Sequence, residues 1–153
     1  MTVSIQLLTV TASIAALTFP GVTVLDIGSV PNNMNMVTCR LYPNPDGMVN
    51  QLTTKTETLG TGGNEQQNAE YNLRYRYWHC GPNGTGGPIG ETMLSAITNI
   101  VAIMQVFATH DTVTGCKDLR LVTMSDFPIM VKDPSGNDGW GCDFTLKIIE
   151  FIS

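Results

Sequence analysis

Charge is what this chain has least of. Lys, Arg, Asp and Glu make up 14% of its 153 residues, against roughly 25% in an average soluble domain. Basic residues are the scarcer sign, eight against thirteen acids, for a net charge of -5. They never gather into a patch, which argues against a nucleic-acid grip, because such a grip works by exchanging many cations for the phosphate counter-ions. The four cysteines, Cys39, Cys80, Cys116 and Cys142, contain no Cys-x-x-Cys pair, so a zinc ribbon or dithiol redox site has no scaffold. An uninterrupted apolar run is missing too. The first 25 residues carry no charged side chain, but Ser4, Gln6, Thr9, Thr11 and Ser13 interrupt them and no Lys or Arg precedes them. That excludes a membrane span and makes a poor secretory signal. Without such a signal, buried free thiols are the better reading of the cysteines than two disulfides, and Asn83-Gly84-Thr85 is an idle glycosylation pattern.

Catalytic patterns are equally sparse. No Gly-x-Ser-x-Gly elbow exists. The glycine-rich residues 81–90 precede a helix but lack the Lys and terminal Ser/Thr of a phosphate loop, so they read as a flexible loop. Asp133, Ser135 and Asn137 imitate the start of a calcium loop, yet Asp138 stands where Gly is needed and Phe144 where Glu is needed. His79 neighbours Cys80, but adjacent residues of a strand point to opposite faces, which keeps base and nucleophile apart. His110 ends a helix, where a cation-capable side chain suits the dipole. These observations imply no catalytic residue, no cofactor and no metal.

What is present is a long helix over residues 88–110. Met93, Leu94, Ile97, Ile100, Val101, Met104 and Phe107 recur at spacings of three and four, one face of a helix about 30 Å long. Ala96, Ile103, Val106 and Ala108 make the other side apolar as well, so cover is expected on more than one side, from a second helix or a partner subunit. A first helix is expected over residues 3–17, and over 22–26 either a short strand or a segment that follows the helix along an edge. Residues 36–42 and 48–57 read as a strand hairpin around the Pro43-to-Gly47 turn, and 58–68 as a loop. Residues 70–80 are the clearest strand, with Tyr71, Leu73, Tyr75 and Tyr77 alternating against Asn72, Arg74, Arg76 and Trp78. Residues 119–124 form a strand whose edge 127–131 continues, and 133–139 a tight turn into the closing strand 140–152. The class is therefore α+β: one domain over residues 1–153, an antiparallel or mixed sheet of roughly four to six strands, and two long helices packed on one face.

This order and texture resemble the tail terminator, or tail completion, proteins of long-tailed bacteriophages. The residues that carry the resemblance are Tyr71-Asn-Leu-Arg-Tyr-Arg-Tyr-Trp78, the helix from Glu91 to Phe107, Leu119-Arg-Leu-Val-Thr-Met124, and the ending Gly139-Trp-Gly-Cys-Asp-Phe-Thr-Leu-Lys-Ile-Ile-Glu-Phe151. The resemblance implies a structural virion protein rather than an enzyme, assembled in the host cytoplasm. Such proteins form a homo-oligomeric ring, hexameric in the family, on the head-proximal end of the tail tube. The ring ends polymerisation of the tail tube protein, offers the head-tail connector protein a docking surface, and lets DNA pass without binding it specifically. No membrane is involved.

Ring closure needs two different surfaces on each subunit. The candidates are Ile103 on the outer side of the long helix, and Arg74, Arg76 and Trp78 on the strand, with Asp133 and Asp138 as acidic partners on a neighbour. Asp118, Asp126, Asp133, Asp138 and Asp143 gather near the last hairpin, where a lumenal position would discourage DNA from sticking. Other joining proteins (an adaptor or stopper), a tube subunit, and a secreted ligand- or carbohydrate-binding module are the alternative readings.

Overall fold

The structure, a computed structural model, describes residues 5–28, 39–59, 64–79, 89–134, 136 and 138–151. The elements run α1 (Leu7–Ala15), β1 (Thr23–Val24), β2 (Arg40–Pro43), β3 (Val49–Leu59), β4 (Asn64–His79), α2 (Ile89–Thr109), β5 (Asp118–Met124), β6 (Ile129–Lys132) and β7 (Asp138–Phe151). The class is α+β: the described residues form a mixed seven-stranded sheet with two helices. It is wider than the sequence suggests because each outer edge is a broken strand. α1, at nine residues, is shorter than the span 3–17, of which residues 3 and 4 lie outside the described residues.

Two long strands form the axis. β4 and β7 pair antiparallel without interruption from Asn68↔Phe151 to His79↔Trp140. β2 and β3 follow one another along the free side of β4, and β5 and β6 along the free side of β7. The expected continuation of the 119–124 edge by 127–131 holds. Among the described residues the expected hairpin between 36–42 and 48–57 does not form, since β2 and β3 both pair with β4; residues 36–38 lie outside them. Pro43 faces Tyr75 and Val49 faces Leu73, so residues 44–48 loop out opposite Arg74 alone. The Arg74 backbone closes the loop at both ends, accepting from Asn44 N–H and donating to Met48 O. The Asn44 side chain accepts from Asp46 N–H and Gly47 takes φ +68°. Turn chemistry was read correctly here, but it makes a detour within one edge rather than a reversal. The reversal lies further on. Residues 58–68, expected as a loop, carry β3–β4 rungs up to Leu59↔Asn64.

Alternation decides the faces. Tyr71, Leu73, Tyr75 and Tyr77 of β4 and Cys142, Phe144, Leu146 and Ile148 of β7 are buried on one side, in one cluster with Val10 and Ile14 of α1 and Ile100, Ile103 and Phe107 of α2. The Phe107 ring meets Phe19, Tyr75 and Phe144 at centroid distances of 5.6, 6.3 and 6.1 Å. The buried stripe of α2 is Ala96, Ile100, Ile103 and Phe107, while Leu94 and Val101 are 66% and 39% exposed. The stripe is thus rotated from the one the spacing suggested. Where nearly every position is apolar, periodicity cannot choose the inward side, and the sheet selects the residues whose size fits it.

A buried carboxylate ties the first helix to the last strand. α1 has no acidic residue in its first turn and no side-chain cap. Glu150, fully buried, supplies the anion instead, accepting from the Gln6 backbone N–H at 3.1 and 3.0 Å and from the Tyr71 hydroxyl at 2.8 Å. A carboxylate at the positive end of a helix is favourable, and hydrogen bonds to a charged group are among the stronger ones. Glu150→Ala is expected to cost about 3 kcal/mol in urea unfolding, because it strands two buried donors. A loss under about 1 kcal/mol would contradict the capping role.

Burial also sets an alkaline limit. It pushes the Tyr42 hydroxyl up to about 12 and those of Tyr71 and Tyr75 well above their ordinary range, with Glu150 and Asp26 adding to the burial effect. Unfolded tyrosines ionise near pH 10, so above that pH the unfolded chain sheds protons that the folded chain keeps. Each such group then removes about 1.4 kcal/mol of stability per pH unit. Denaturation free energy should be level between about pH 7 and 8, decline from about 8.5 as the thiols of Cys116 and Cys142 ionise in the unfolded chain while burial holds them protonated in the folded one, and fall steeply above about 10. A level curve through about pH 11 would refute the tyrosine burial.

Candidate interaction surface

Both helices lie on one side of the sheet, and among the described residues no helix covers the other side. It carries the alternate residues of the same strands. Arg74 stands opposite Thr145 and Arg76 opposite Asp143, while Asn72 and Arg120 flank Lys147 on either side. The acids on this face are matched within the chain. Asp143 takes a two-pronged contact from Arg76, Nε to Oδ1 at 2.7 Å and Nη2 to Oδ2 at 3.1 Å, with both side chains about a quarter exposed. Glu70 lies 3.8 Å from Lys147, and Asp118 3.1 Å from Arg120. The Asp143 contact, ahead of the cost of burial, raises the affinity of the Arg76 guanidinium for its proton.

At one end this face is sealed by a small apolar cluster of Tyr42, Trp78 and Val131. Gly139 and Gly141 make it possible. A Cβ on Gly139 would sit 2.5 Å from the Trp78 indole nitrogen, and one on Gly141 would strike Val131 and the Tyr77 carbonyl. Beside the cluster, between the 44–48 loop and the turn after β6, opens a cleft of about 380 Å³ lined by Tyr42, Asn44, Pro45, Met48, Arg76 and Asp133. Tyr42 donates its hydroxyl proton to the Lys132 carbonyl, which also accepts from Arg76 Nη1.

Three of the six candidate contact residues are internal. Ile103 is fully buried and faces the sheet, not outward; Trp78 and Asp133 are 5% and 4% exposed. The apolar periodicity of α2 hid which side of Ile103 was outward, and the Gly139-x-Gly141 pair, a sequence sign of close approach in a strand, marks the seat of Trp78. Arg76 is satisfied by Asp143 of its own chain, not left for a neighbour, and Asp138 pairs with Lys132 at 2.9 Å across the turn. Arg74 donates to the Asp46 carbonyl at 3.3 Å and stays partly exposed. Arg76 and Asp133 are brought together on the cleft wall, while Ile103 lies on the far side of the sheet. The acidic group around the last hairpin is likewise used internally: Asp118, Asp138 and Asp143 each have a basic partner, Asp133 is buried, and Asp126 is exposed.

His79 meets a cysteine, though not its neighbour in sequence. Its Nδ1 lies 2.6 Å from the Tyr77 hydroxyl and 3.3 Å from Cys39 Sγ. Asn99 donates to the Tyr77 oxygen at 2.8 Å. The network joins β4 to α2, and it reads as a structural clamp. Cys116 and Cys142 are free thiols, both held protonated by burial, and Cys80 lies outside the described residues. Among the described residues no group of three His, Cys, Asp or Glu could hold a metal, and no helix is long and apolar enough to cross a membrane. Ser135 and Asn137 of the calcium-like stretch, and residues 81–88 of the glycine-rich loop, also lie outside them.

No family model matches the chain, and no curated protein matches it. The two ion pairs at the turn end should separate in strength. Asp143→Ala leaves a half-buried guanidinium without its fork and should cost about 2 kcal/mol. Asp138→Ala removes a pair whose side chains are 65% and 63% exposed, and should cost about 0.5 kcal/mol or less. Equal losses in guanidinium-free urea titrations would show that Arg76 does not organise this end.

Proposed function

We propose that the chain is a ring-forming structural protein of a long-tailed phage virion, a tail terminator that caps the head-proximal end of the tail tube. The observation that carries this reading is the one-sided cover of the sheet together with the uncharged flank of α2. Residues 92–109 contain no charged side chain, and Leu94 and Val101 on the outer flank are uncovered by the chain itself. A flank of that kind fits burial against a neighbouring subunit. The open, ion-paired sheet face offers the different surface that a closed ring requires. Ion pairs closed within each subunit leave little fixed charge on that face to hold DNA, which suits a passage DNA crosses without specific binding. Tail tube protein would meet one rim and the head-tail connector protein the other.

The same support extends to an adaptor, a stopper or a tube subunit, which differ in what they stop. A ligand-binding module is favoured by one observation, the cleft beside Tyr42 and Arg76, while the free thiols of Cys116 and Cys142 count against a secreted setting. Light scattering with negative-stain imaging separates them. The expected result is a closed ring of about six subunits that halts growth when added to polymerising tail tube. Leu94→Glu with Val101→Glu, both on the surface, should return the ring to folded monomers. Long stacks would indicate a tube subunit, and a monomer that leaves tube growth unchanged would end the reading.

A further inference from the structure

The two broken flanks of the central strand pair are interrupted at nearly the same level. On the β4 side, residues 44–48 loop out between Pro43↔Tyr75 and Val49↔Leu73, opposite Arg74. On the β7 side, residues 125–128 loop out between Met124↔Phe144 and Ile129↔Gly141, where Ser125 N–H donates to the Asp143 carbonyl. Asp143 stands opposite Arg76, two residues from Arg74, so only about 7 Å of strand separates the two levels. The interruptions differ in shape. The first borders the cleft of about 380 Å³, whose apolar wall is made by Ile27, Tyr42, Pro45, Met48 and Pro134. The second is a knob. Phe127 is 39% exposed, and Asp126 beside it is exposed and makes no ion pair among the described residues.

We infer that the 125–128 knob of one copy of this chain enters the cleft of the next, Phe127 first, with the Asp126 carboxylate received by Arg74. Sheets set side by side bring the β7 flank of one copy to the β4 flank of its neighbour, and the small difference in level lets the two loops meet. The cleft has the room. An apolar cavity of about 150 Å³ holds a benzene, so a cleft of about 380 Å³ takes a phenyl ring together with part of the turn that carries it. Met48 suits the wall, because an unbranched thioether side chain adapts to its guest. Charge agrees as well. Arg74 lies against the 44–48 loop with Nη1 donating to the Asp46 carbonyl at 3.3 Å, and among the described residues no carboxylate pairs with it. Its remaining N–H groups are open to an acid. Asp46, exposed on the same loop, disfavours any seat that brings Asp126 to it instead. The inference rests on the ring reading and gives it a head-to-tail contact, since knob and cleft are different surfaces, as closure requires.

Sedimentation of the full-length chain at varied concentration tests it, with circular dichroism to confirm folding. Phe127→Ala should weaken association at least about tenfold, as loss of an aromatic anchor does. Phe127→Glu, which forces a charge against the apolar wall, should abolish rings, and Pro45→Glu should do so from the cleft side. Both residues are exposed, so neither change opens the core. Mixed one to one, Phe127→Glu and Pro45→Glu should form dimers and stop there, because one intact knob still finds one intact cleft. Asp126→Arg and Arg74→Asp should each weaken association, and mixing those two should restore it. Rings that form equally well with Phe127→Glu would overturn this contact and leave the ring reading standing. A Phe127→Glu and Pro45→Glu mixture that stays monomeric would also overturn it, as would a native chain monomeric at about 1 mM. Open chains that depend on Phe127 would keep the contact and end the ring reading.

Discussion

The uninterrupted antiparallel pairing of β4 with β7 is the constraint on which the rest depends. It joins the middle of the chain to its end, so neither strand can be placed until the long helix between them has been spanned. Once the register is set, alternation fixes everything else. One set of side chains becomes the tyrosine- and leucine-rich floor for both helices, and the other becomes the ion-paired outer face. It also brings Glu150 under the start of α1 and Asp143 beside Arg76, two long-range matches that a slip of one residue would destroy together.

Scarcity of charge gives those matches their weight. With few ionised groups available, most basic residues described here are committed to partners in the same chain, and the exposed flank of α2 has none to offer. A surface of this kind is covered by shape and apolar contact rather than by salt bridges. The two outer edges show the same economy in backbone terms. Each is broken into segments that follow the centre strands, so the sheet can twist along its length while the central pairing stays continuous.

Much of this was legible beforehand. The alternation in β4 and β7 identified both strands and their faces, and the Pro43-to-Gly47 stretch marked a real departure from regular structure. What stayed hidden was pairing. Pro43 to Gly47 has the composition of a hairpin turn, yet its ends are both held by Arg74, a partner no local rule could supply. Residues 58–68 are rich in Gly, Asn and Gln and look like a loop, but the Thr run before them has enough strand propensity to keep pairing with β4. Ile103 and Trp78 looked available because periodicity without contrast cannot tell inside from outside, and because a tryptophan's shelter depends on Gly139 and Gly141, far along the chain. Arg74 and Arg76, alike in sequence, part ways only because Asp143 stands across from one of them.

The placement of the aromatic residues has an optical consequence. Both tryptophans sit at one end of the central pairing, Trp78 against Gly141 and Trp140 against His79, while Glu150 faces Ala69 at the other end. About ten residues of strand, roughly 33 Å, separate the indoles from the helix cap. Tryptophan fluorescence of this chain, excited where tyrosine does not absorb, therefore watches the cleft end rather than the α1 end, so a change in that emission and a change in helical signal report on different ends of the same sheet.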